Sequence, residues 1–396
     1  MRVPTHQTSK SAFDGIEARQ AEQSRLQTQL ATGLRINSPG DDPVAAAQAE
    51  LARSRLTRLA QDQRSTQLAT GLLSAADTAL AEGVNLLQSV RESLVAAGNG
   101  SYNASDRQAL ALQLRSARER MLALANTRDG AGGFVFAGQG SSDAPMGGGG
   151  APAYSAAAGV QRIGEQGRFA ATVDGRASFI SLPQGNGVFV TASAGANSGA
   201  GWIDPGSVSN PSQLTGHNYR ITISGAPGAL VYGVANLTLG TTLASGALLQ
   251  DGGTIDIDGQ RVKVSGNPAL GDAFNIAPAG QQSVFKTLDD AIATLEQPTT
   301  TPVYAEKLER TQASLDRVLD GMILMRSRVG EELRNVEDAG ASGAKQELVS
   351  QQRRSELQDL DYARAISEFH TNQTSLEAAL KLYAGVARTS LFQLLG

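Results

Sequence analysis

Leucines recur every seven residues between positions 73 and 94, and a small or branched residue stands three positions after each of the first three. The leucines are Leu73, Leu80, Leu87 and Leu94, and the residues that follow them are Ala76, Gly83 and Val90. This is the a/d pattern of helices that pack side by side at close range. Because no proline interrupts residues 44–97, the pattern predicts one helix of about 80 Å at ~1.5 Å per residue.

A break in this pattern at Gly98-Asn-Gly-Ser predicts the end of the long helix. Beyond it, Ser105 and Gln108 fit a capping box at the start of a second helix. The apolar stripe of that helix is Leu110, Leu114, Ala117, Met121 and Leu124.

The C-terminal part of the chain shows the same helical spacing in three stripes. The first extends from Phe285 to Leu295 and ends before Pro298, the second from Leu308 to Val336, and the third from Leu376 to Leu394. Between the last two, the segment Ala339-Gly-Ala-Ser-Gly-Ala predicts a flexible joint.

The middle of the chain alternates apolar and polar residues, as in "VFVTA", "YRITISG" and "TIDIDGQRVKVSG". Of the 44 glycines, 31 lie between residues 130 and 280, where they favour turns between short strands. The dipeptide Asp258-Gly259 is typical of a hairpin turn.

These patterns predict an α+β fold in which the N- and C-terminal arms form a long antiparallel coiled-coil helical bundle with an inserted all-β domain. We expect three domains. Residues 1–43 and 350–396 form a terminal coiled-coil domain, residues 44–130 and 283–349 a helical bundle, and residues 131–282 the inserted β domain. Polar residues interrupt the apolar stripe of the first helix, so we expect the terminal domain to be disordered in the monomer and to fold upon assembly.

The polar segment from Arg35 to Pro43 separates two apolar stripes, Leu30 with Leu34 and Val44 with Ala47 and Leu51. Asp42 suits the N-cap of the long helix, with Pro43 at its first position and Asp41 near its positive end. Arg35 suits the C-terminus of the preceding helix. The segment therefore predicts a joint that sets the angle between two helices, although an ordinary solvated loop explains the residues equally well.

Composition excludes several kinds of function. The net charge of −4 and the pI near 5.6 provide no basic patch for nucleic acid. No run of residues approaches the ~18 apolar positions that a membrane helix needs, and the N-terminus lacks the apolar core of a secretory signal. The absence of cysteine rules out thiol chemistry and fits either chance or a chain that is exported unfolded.

Candidate chemical sites are weak, and we expect no catalytic residue, metal or cofactor. Glycines 147–150 lack the Gly-Lys-Ser/Thr end of a phosphate loop, and Asp256 and Asp258 lack the twelfth-position glutamate of a calcium loop, which is Asn267. His217 has no neighbour in sequence with which to form a catalytic group. The aromatic residues Trp202, Tyr219 and Tyr232 are expected in the core.

Four segments resemble flagellins and their axial relatives, the hook-associated proteins of the bacterial flagellum. "TGLRINSPGDDPVAA" resembles the N-terminal joint of these proteins, "RDGAGGFVFAG" the exit from their helical domain, and the last 40 residues, from "LQDLDYARAIS" to "SLFQLLG", their C-terminal helix. "GDAFNIAP" resembles the close of their inserts. The insert here is long and glycine-rich.

The resemblance implies a junction protein that joins the hook to the filament. Such proteins form a ring of identical subunits between hook-associated protein 1 and the first flagellins. They are exported through the flagellar type III system without signal cleavage, after a cytoplasmic export chaperone has bound their C-terminal region, and they are extracellular.

We therefore expect a structural protein and no enzyme. The expected assembly interface is formed by the joint and the last helix: Leu30, Leu34, Arg35, Ile36, Asn37, Asp41, Asp42, Leu376, Leu380, Tyr383, Leu391, Phe392, Leu394 and Leu395. Two alternatives stay open: a filament flagellin, and a glycan-binding or enzymatic β domain on a coiled-coil stalk.

Overall fold

The computed structural model describes residues 5–130, 132–138, 144–147, 161–162, 168–169, 173–226, 228–297 and 302–395. The helices are α1 (Thr5–Thr32), α2 (Pro43–Ala97), α3 (Ala104–Ala125), α4 (Val284–Leu295), α5 (Pro302–Gln358) and α6 (Tyr362–Leu395). The strands are β1 (Gln161–Arg162), β2 (Arg168–Phe169), β3 (Leu182–Pro183), β4 (Phe189–Ser193), β5 (Trp202–Ile203), β6 (Ser207–Val208), β7 (Tyr219–Ala226), β8 (Ala229–Asn236), β9 (Thr241–Leu248), β10 (Thr254–Ile257), β11 (Gln260–Ser265), β12 (Ala273–Pro278) and β13 (Gln281–Gln282). The predicted α+β fold is confirmed.

The chain divides into two compact units. Met1–Ser65 and Ala339–Gly396 form the terminal unit, and Thr66–Asp338 form the central unit. The predicted boundaries lay elsewhere, near residues 43 and 350, and the β insert is here part of the same unit as the helices that flank it. The three-domain division, with a terminal domain that is disordered in the monomer, stays a prediction.

The heptad leucines form the core of the central unit. Leu80, Leu87 and Leu94 are fully buried and Leu73 is 1% exposed, as the spacing predicts. They pack with apolar residues of α3, α4 and α5 in one cluster. A Cβ at Gly83 would stand 2.8 Å from the Met322 sulfur, so the small residue in the seam allows α5 to approach α2 closely.

The predicted break after α2 is confirmed, but the cap of α3 is two residues earlier than expected. Asn103, and not Ser105, is the N-cap, because its side chain accepts the N–H groups of Ser105 and Asp106. The Asp106 carboxylate accepts the Asn103 N–H in return, at 3.0 Å. The helix begins at Asn103 because asparagine is among the most favourable N-cap residues and Asp106 completes the capping box.

The flexible joint predicted at 339–344 is wrong, since α5 continues through it as one helix to Gln358. A glycine costs only about 1 kcal/mol in a helix interior. The alanines beside Gly340 and Gly343 are the strongest helix formers, which explains why the helix tolerates them.

An antiparallel sheet of order β4-β12-β7-β8-β9 and a smaller one of order β10-β11-β5, with β6 also paired to β11, enclose the second core of the central unit. Tyr219 and Phe274 are among its fully buried side chains. The predicted hairpin turn is confirmed between β10 and β11. Asp258 and Gly259 have φ of 43° and 80°, as a turn with two left-handed residues requires.

A buried carboxylate connects the five-stranded sheet to α5. Glu306 is 4% exposed and accepts both the backbone N–H of Ser193, at 3.1 Å, and its hydroxyl. Arg310, one turn further along α5, lies 3.5 Å from the same carboxylate. These contacts fix the edge strand β4 against the helix.

Candidate functional site

The predicted joint lies in the terminal unit, where it pairs with the segment between α5 and α6. Leu34 and Asp359 form an isolated antiparallel bridge. The Arg35 N–H donates to the Gln358 carbonyl at 2.8 Å, and the Leu360 N–H donates to the Gly33 carbonyl at 3.0 Å. Residues more than 300 positions apart thus share backbone hydrogen bonds, which tie the two ends of the chain together.

The Arg35 side chain reinforces this pairing at the end of α5. Its guanidinium donates to the Leu357 carbonyl at 2.7 Å, one of the last carbonyls of a helix, which have no partner within it. A cation is favoured there by the helix dipole. The expectation that Arg35 serves the preceding helix α1 is therefore wrong: the helix end that it contacts belongs to α5, which sequence order cannot reveal.

The two aspartates of the joint have different roles. Asp42 accepts the Ala45 N–H at 3.0 Å and caps α2, as predicted, and it lies 3.8 Å from the Arg35 guanidinium. Asp41 was expected to act on the same helix start. Instead it accepts the N–H groups of Ser38 and Asn37 at 2.8 and 2.9 Å and closes the loop, while these backbone hydrogen bonds lower the pKa of its carboxyl group.

Two residues that were not predicted from the sequence, Gln29 and Gly33, complete the joint. The amide of Gln29, which is 5% exposed, donates to the Arg35 carbonyl at 2.6 Å. Gly33 has φ of 72°, and a Cβ there would stand 2.8 Å from the Tyr362 hydroxyl. A glycine directly after a helix is typical of a C-terminal cap, so Gly33 could have been found from sequence; the contact with Tyr362 could not.

The remaining predicted interface residues differ in exposure. Ile36 is buried and the side chain of Asn37 donates to the Leu34 carbonyl at 3.1 Å. Leu30, Leu34, Leu376 and Tyr383 are half-buried, and Leu380 is 44% exposed. The side chains of Leu391, Phe392, Leu394 and Leu395 lie outside the described residues. Their membership in an assembly interface stays a prediction.

The apolar stripe that begins α2 with Val44, Ala47 and Leu51 lies on the exposed face of the helix. Val44 and Leu51 are 68% and 71% exposed, whereas Ala45, Ala49 and Ala52 are buried. Both stripes have helical spacing, and the alanines allow closer packing. The bulky apolar side chains therefore lie on the surface of the terminal unit.

The weak chemical candidates contribute no site in the described residues. The Asp256–Asp258 segment is the hairpin described above, and most of the glycine tract 147–150 lies outside the described residues. His217, expected to be without a partner, lies 2.9 Å from the Asn236 amide through Nδ1. Tyr219 is buried as predicted and Trp202 and Tyr232 are half-buried.

Within the described ranges, no three His, Cys, Asp or Glu side chains converge as a metal ion would require. Over the same ranges, none of the helices is both long and apolar enough to span a bilayer.

Three comparisons relate the chain to known proteins. Residues 3–141 match the family of the bacterial flagellin N-terminal helical region. The chain is 25% identical over 399 residues to flagellar hook-associated protein 3 of Escherichia coli (strain K12), covering 100% of this chain and 99% of that protein. The crystal structure of the flagellar junction protein FlgL from Legionella pneumophila superimposes with a TM-score of 0.70 at 29% identity, over 79% of this chain and 100% of that one.

The match to a filament protein is shorter. The flagellin of Bacillus subtilis is 29% identical over 130 residues, which is 33% of this chain and 41% of that protein. The relationship to the hook-associated protein thus extends along the whole chain, whereas this flagellin resembles only a part of it.

Proposed function

We infer, from a relationship to flagellar hook-associated protein 3 that covers the whole chain, that this protein is a structural subunit of the bacterial flagellum at the junction between hook and filament. The full-length match carries this conclusion. The joint supports it, because a subunit that transmits force between two polymers needs both ends of its chain held together.

The function we propose is mechanical and requires no catalysis. The relatives are structural flagellar proteins. In the described residues the polar side chains of the joint are engaged in capping and in backbone hydrogen bonds, and we assign no catalytic residue and no cofactor to the chain.

The proposed partners follow from a position between two polymers. We propose that copies of the chain form a ring with hook-associated protein 1 on one side and flagellin on the other. The subunit is extracellular after export through the flagellar type III system, and a cytoplasmic chaperone holds its C-terminal region before export.

Deletion of the gene tests the proposal. We expect intact hooks, no filaments, and unpolymerised flagellin in the medium, since flagellin would lack its attachment ring. Complementation with the full chain restores filaments, whereas a chain without its last ten residues does not. Immunoblots of medium and sheared cells measure both outcomes.

The deletion strain also distinguishes a junction protein from a filament flagellin. A filament flagellin would be present in thousands of copies per cell, and its deletion would remove the main extracellular flagellar protein and release none. Normal filaments in the deletion strain would contradict the junction role outright.

A further inference from the structure

A cavity of about 470 Å³ lies within the central unit, between the segment 184–192 and the helices α4 and α5. Its size falls within the ~300–1,000 Å³ that is usual for small-molecule sites. Most of its lining residues are polar, and no aromatic residue is among those that the structure describes. The cavity therefore suits a compact polar ligand better than one that must stack on an aromatic ring.

The floor of the cavity is fixed by two buried threonines. Thr294 of α4 and Thr311 of α5 are 4% and 7% exposed. Their hydroxyl groups donate to the carbonyls of Asp290 and Lys307 at 2.8 and 2.7 Å, and they lie 3.4 Å from each other. The two helices are thus held together beneath the cavity, which keeps its shape without a ligand.

Two cations, one turn apart on α5, line one side of the cavity. The Lys307 ammonium donates to the Gln297 side-chain oxygen at 3.0 Å. The Arg310 guanidinium lies 3.5 Å from the Glu306 carboxylate, which already accepts two hydrogen bonds from Ser193. Among the described residues the Arg310 guanidinium donates no hydrogen bond, although it carries five N–H groups.

The carboxylate of the described lining does not cancel this charge. Asp290 forms an ion pair with Lys286, one turn earlier on α4, and so is already neutralised. The side of the cavity formed by Lys307 and Arg310 keeps an excess of positive charge, which attracts an anionic group.

Uncharged polar groups with free hydrogen-bonding capacity line the rest of the cavity. The Gln282 amide nitrogen donates to the Thr287 hydroxyl at 2.9 Å, while its oxygen accepts no hydrogen bond from the described residues. The Gln184 amide and the Ser314 hydroxyl, which are half-buried, also have no partner there. Together these groups offer both donors and acceptors to the hydroxyl groups of a ligand.

We propose that this cavity binds an acidic sugar of the uronic acid class, a ring that carries one carboxylate and several hydroxyl groups. Arg310 binds the carboxylate through its planar fork of N–H groups and Lys307 adds a second positive charge. Gln184, Gln282 and Ser314 bind the hydroxyl groups. The site is distinct from the joint, and the inference does not depend on the proposed function.

Isothermal titration calorimetry of the purified full chain with D-glucuronate tests the proposal. We expect a dissociation constant on the order of 1 mM or lower, as a ligand of this size allows. D-glucose lacks the carboxylate and acetate lacks the hydroxyl groups, so each should bind at least about tenfold more weakly. A disaccharide that ends in glucuronate distinguishes a glycan end from a free acidic sugar, and binding of either supports the site.

Two variants assign the binding to this cavity. Arg310→Gln removes the carboxylate partner and should weaken glucuronate binding by about tenfold or more. Ala293→Leu keeps all charges and places a larger side chain at the exposed rim of the cavity, which should weaken binding by a similar factor. The matched controls Arg328→Gln and Ala344→Leu, at exposed positions of α5, should leave binding unchanged.

The proposal is overturned if neither glucuronate nor the disaccharide binds below about 10 mM, or if acetate binds as tightly as glucuronate, since charge alone would then explain the affinity. It is also overturned if both cavity variants bind like the wild type while circular dichroism shows them folded. These outcomes are independent of the deletion experiment, because flagellin release reports on the junction role and sugar binding does not.

Discussion

Two stretches of α2, one in the central unit and one in the terminal unit, place apolar residues of similar size in opposite environments. In the central unit, Leu80 and Leu87 are fully buried between helices. In the terminal unit, Val44 and Leu51 are 68% and 71% exposed, and Leu380 is 44% exposed. Burial of a leucine contributes about 1.5–3 kcal/mol, which the central unit obtains from its own chain. Val44 and Leu51 of the terminal unit obtain little of this stabilisation within the described part of the chain.

The buried Glu306 of the central unit and the charged residues of the joint also differ in their surroundings. In the central unit, Glu306 is buried and contacts a strand through two hydrogen bonds. In the terminal unit, the charged groups of the joint lie at the surface, where Arg35 and Asp42 keep nearly half and more than a third of their side-chain area exposed. Exposed ion pairs contribute little to stability, so the Arg35–Asp42 pair adds little to the free energy of unfolding.

The largest expected effect comes from a substitution in the core of the central unit. Leu87→Ala should lower the free energy of unfolding by about 2–5 kcal/mol, because it removes a fully buried side chain and leaves a cavity. The matched control Leu51→Ala, on the same helix α2, should change it by less than about 0.5 kcal/mol in the monomer. Urea unfolding followed by circular dichroism measures both. Equal losses of unfolding free energy in Leu87→Ala and Leu51→Ala would contradict the different burial of these two leucines.

An intermediate effect is expected at the connection between sheet and helix. Glu306→Ala removes the acceptor of the Ser193 N–H and hydroxyl and should cost about 1–3 kcal/mol. Glu309→Ala, on the exposed side of the same helix, should be neutral or slightly stabilising. Although Glu309 is exposed as a whole, partial desolvation of its carboxylate and the nearby Asp204 raise its pKa, so the charged form is disfavoured in the folded state. Thermal unfolding of the two variants distinguishes them, and a larger loss from Glu309→Ala would contradict this assignment.

The smallest expected effect is a difference between the joint and the central unit in how acid changes their stability. Backbone hydrogen bonds from Ser38 and Asn37 hold the pKa of Asp41 below its ordinary value of 3.8. The contribution of the Asp41 carboxylate to the stability of the folded state is therefore present above pH 3.8. It is lost as pH falls through the lowered pKa of the folded state. Burial raises the pKa of Asp204 in the central unit. Its effect on stability therefore depends on pH in the opposite way: the stabilisation is present at low pH, where Asp204 is protonated, and is lost as pH rises.

On acidification from pH 6 to 3 we expect the amide protons of residues 37 and 38 to lose protection earlier than those of the β-sheets. Hydrogen exchange with correction for the intrinsic rate measures this. Asp41→Ala should give low protection at these amides at both pH values. Protection that is equal at pH 6 and 3 in the wild type would rule out a role for the Asp41 charge.

Some features of the site follow from sequence because they depend on neighbours along the chain. The Asp42-Pro43 start of α2, the break after Ala97 and the hairpin at Asp258-Gly259 depend on capping and turn preferences that act over a few residues. For the same reason the heptad leucines predict a buried seam. Where a local signal was ambiguous, as for Ser105 against Asn103, the prediction was wrong by only two positions.

Other features were decided by tertiary structure, because they depend on residues far apart in sequence. Both stripes of α2 have helical spacing, and only the packing of the terminal unit determines that Ala45, Ala49 and Ala52 are inside. The partner of Arg35 is a carbonyl 322 residues away. The sequence by itself determined the start of α2 and the hairpin turn at Asp258-Gly259. The packing of the two chain ends against each other decided which helix faces are in contact. Apolar spacing along a helix defines a stripe, but it does not define which surface packs against that stripe.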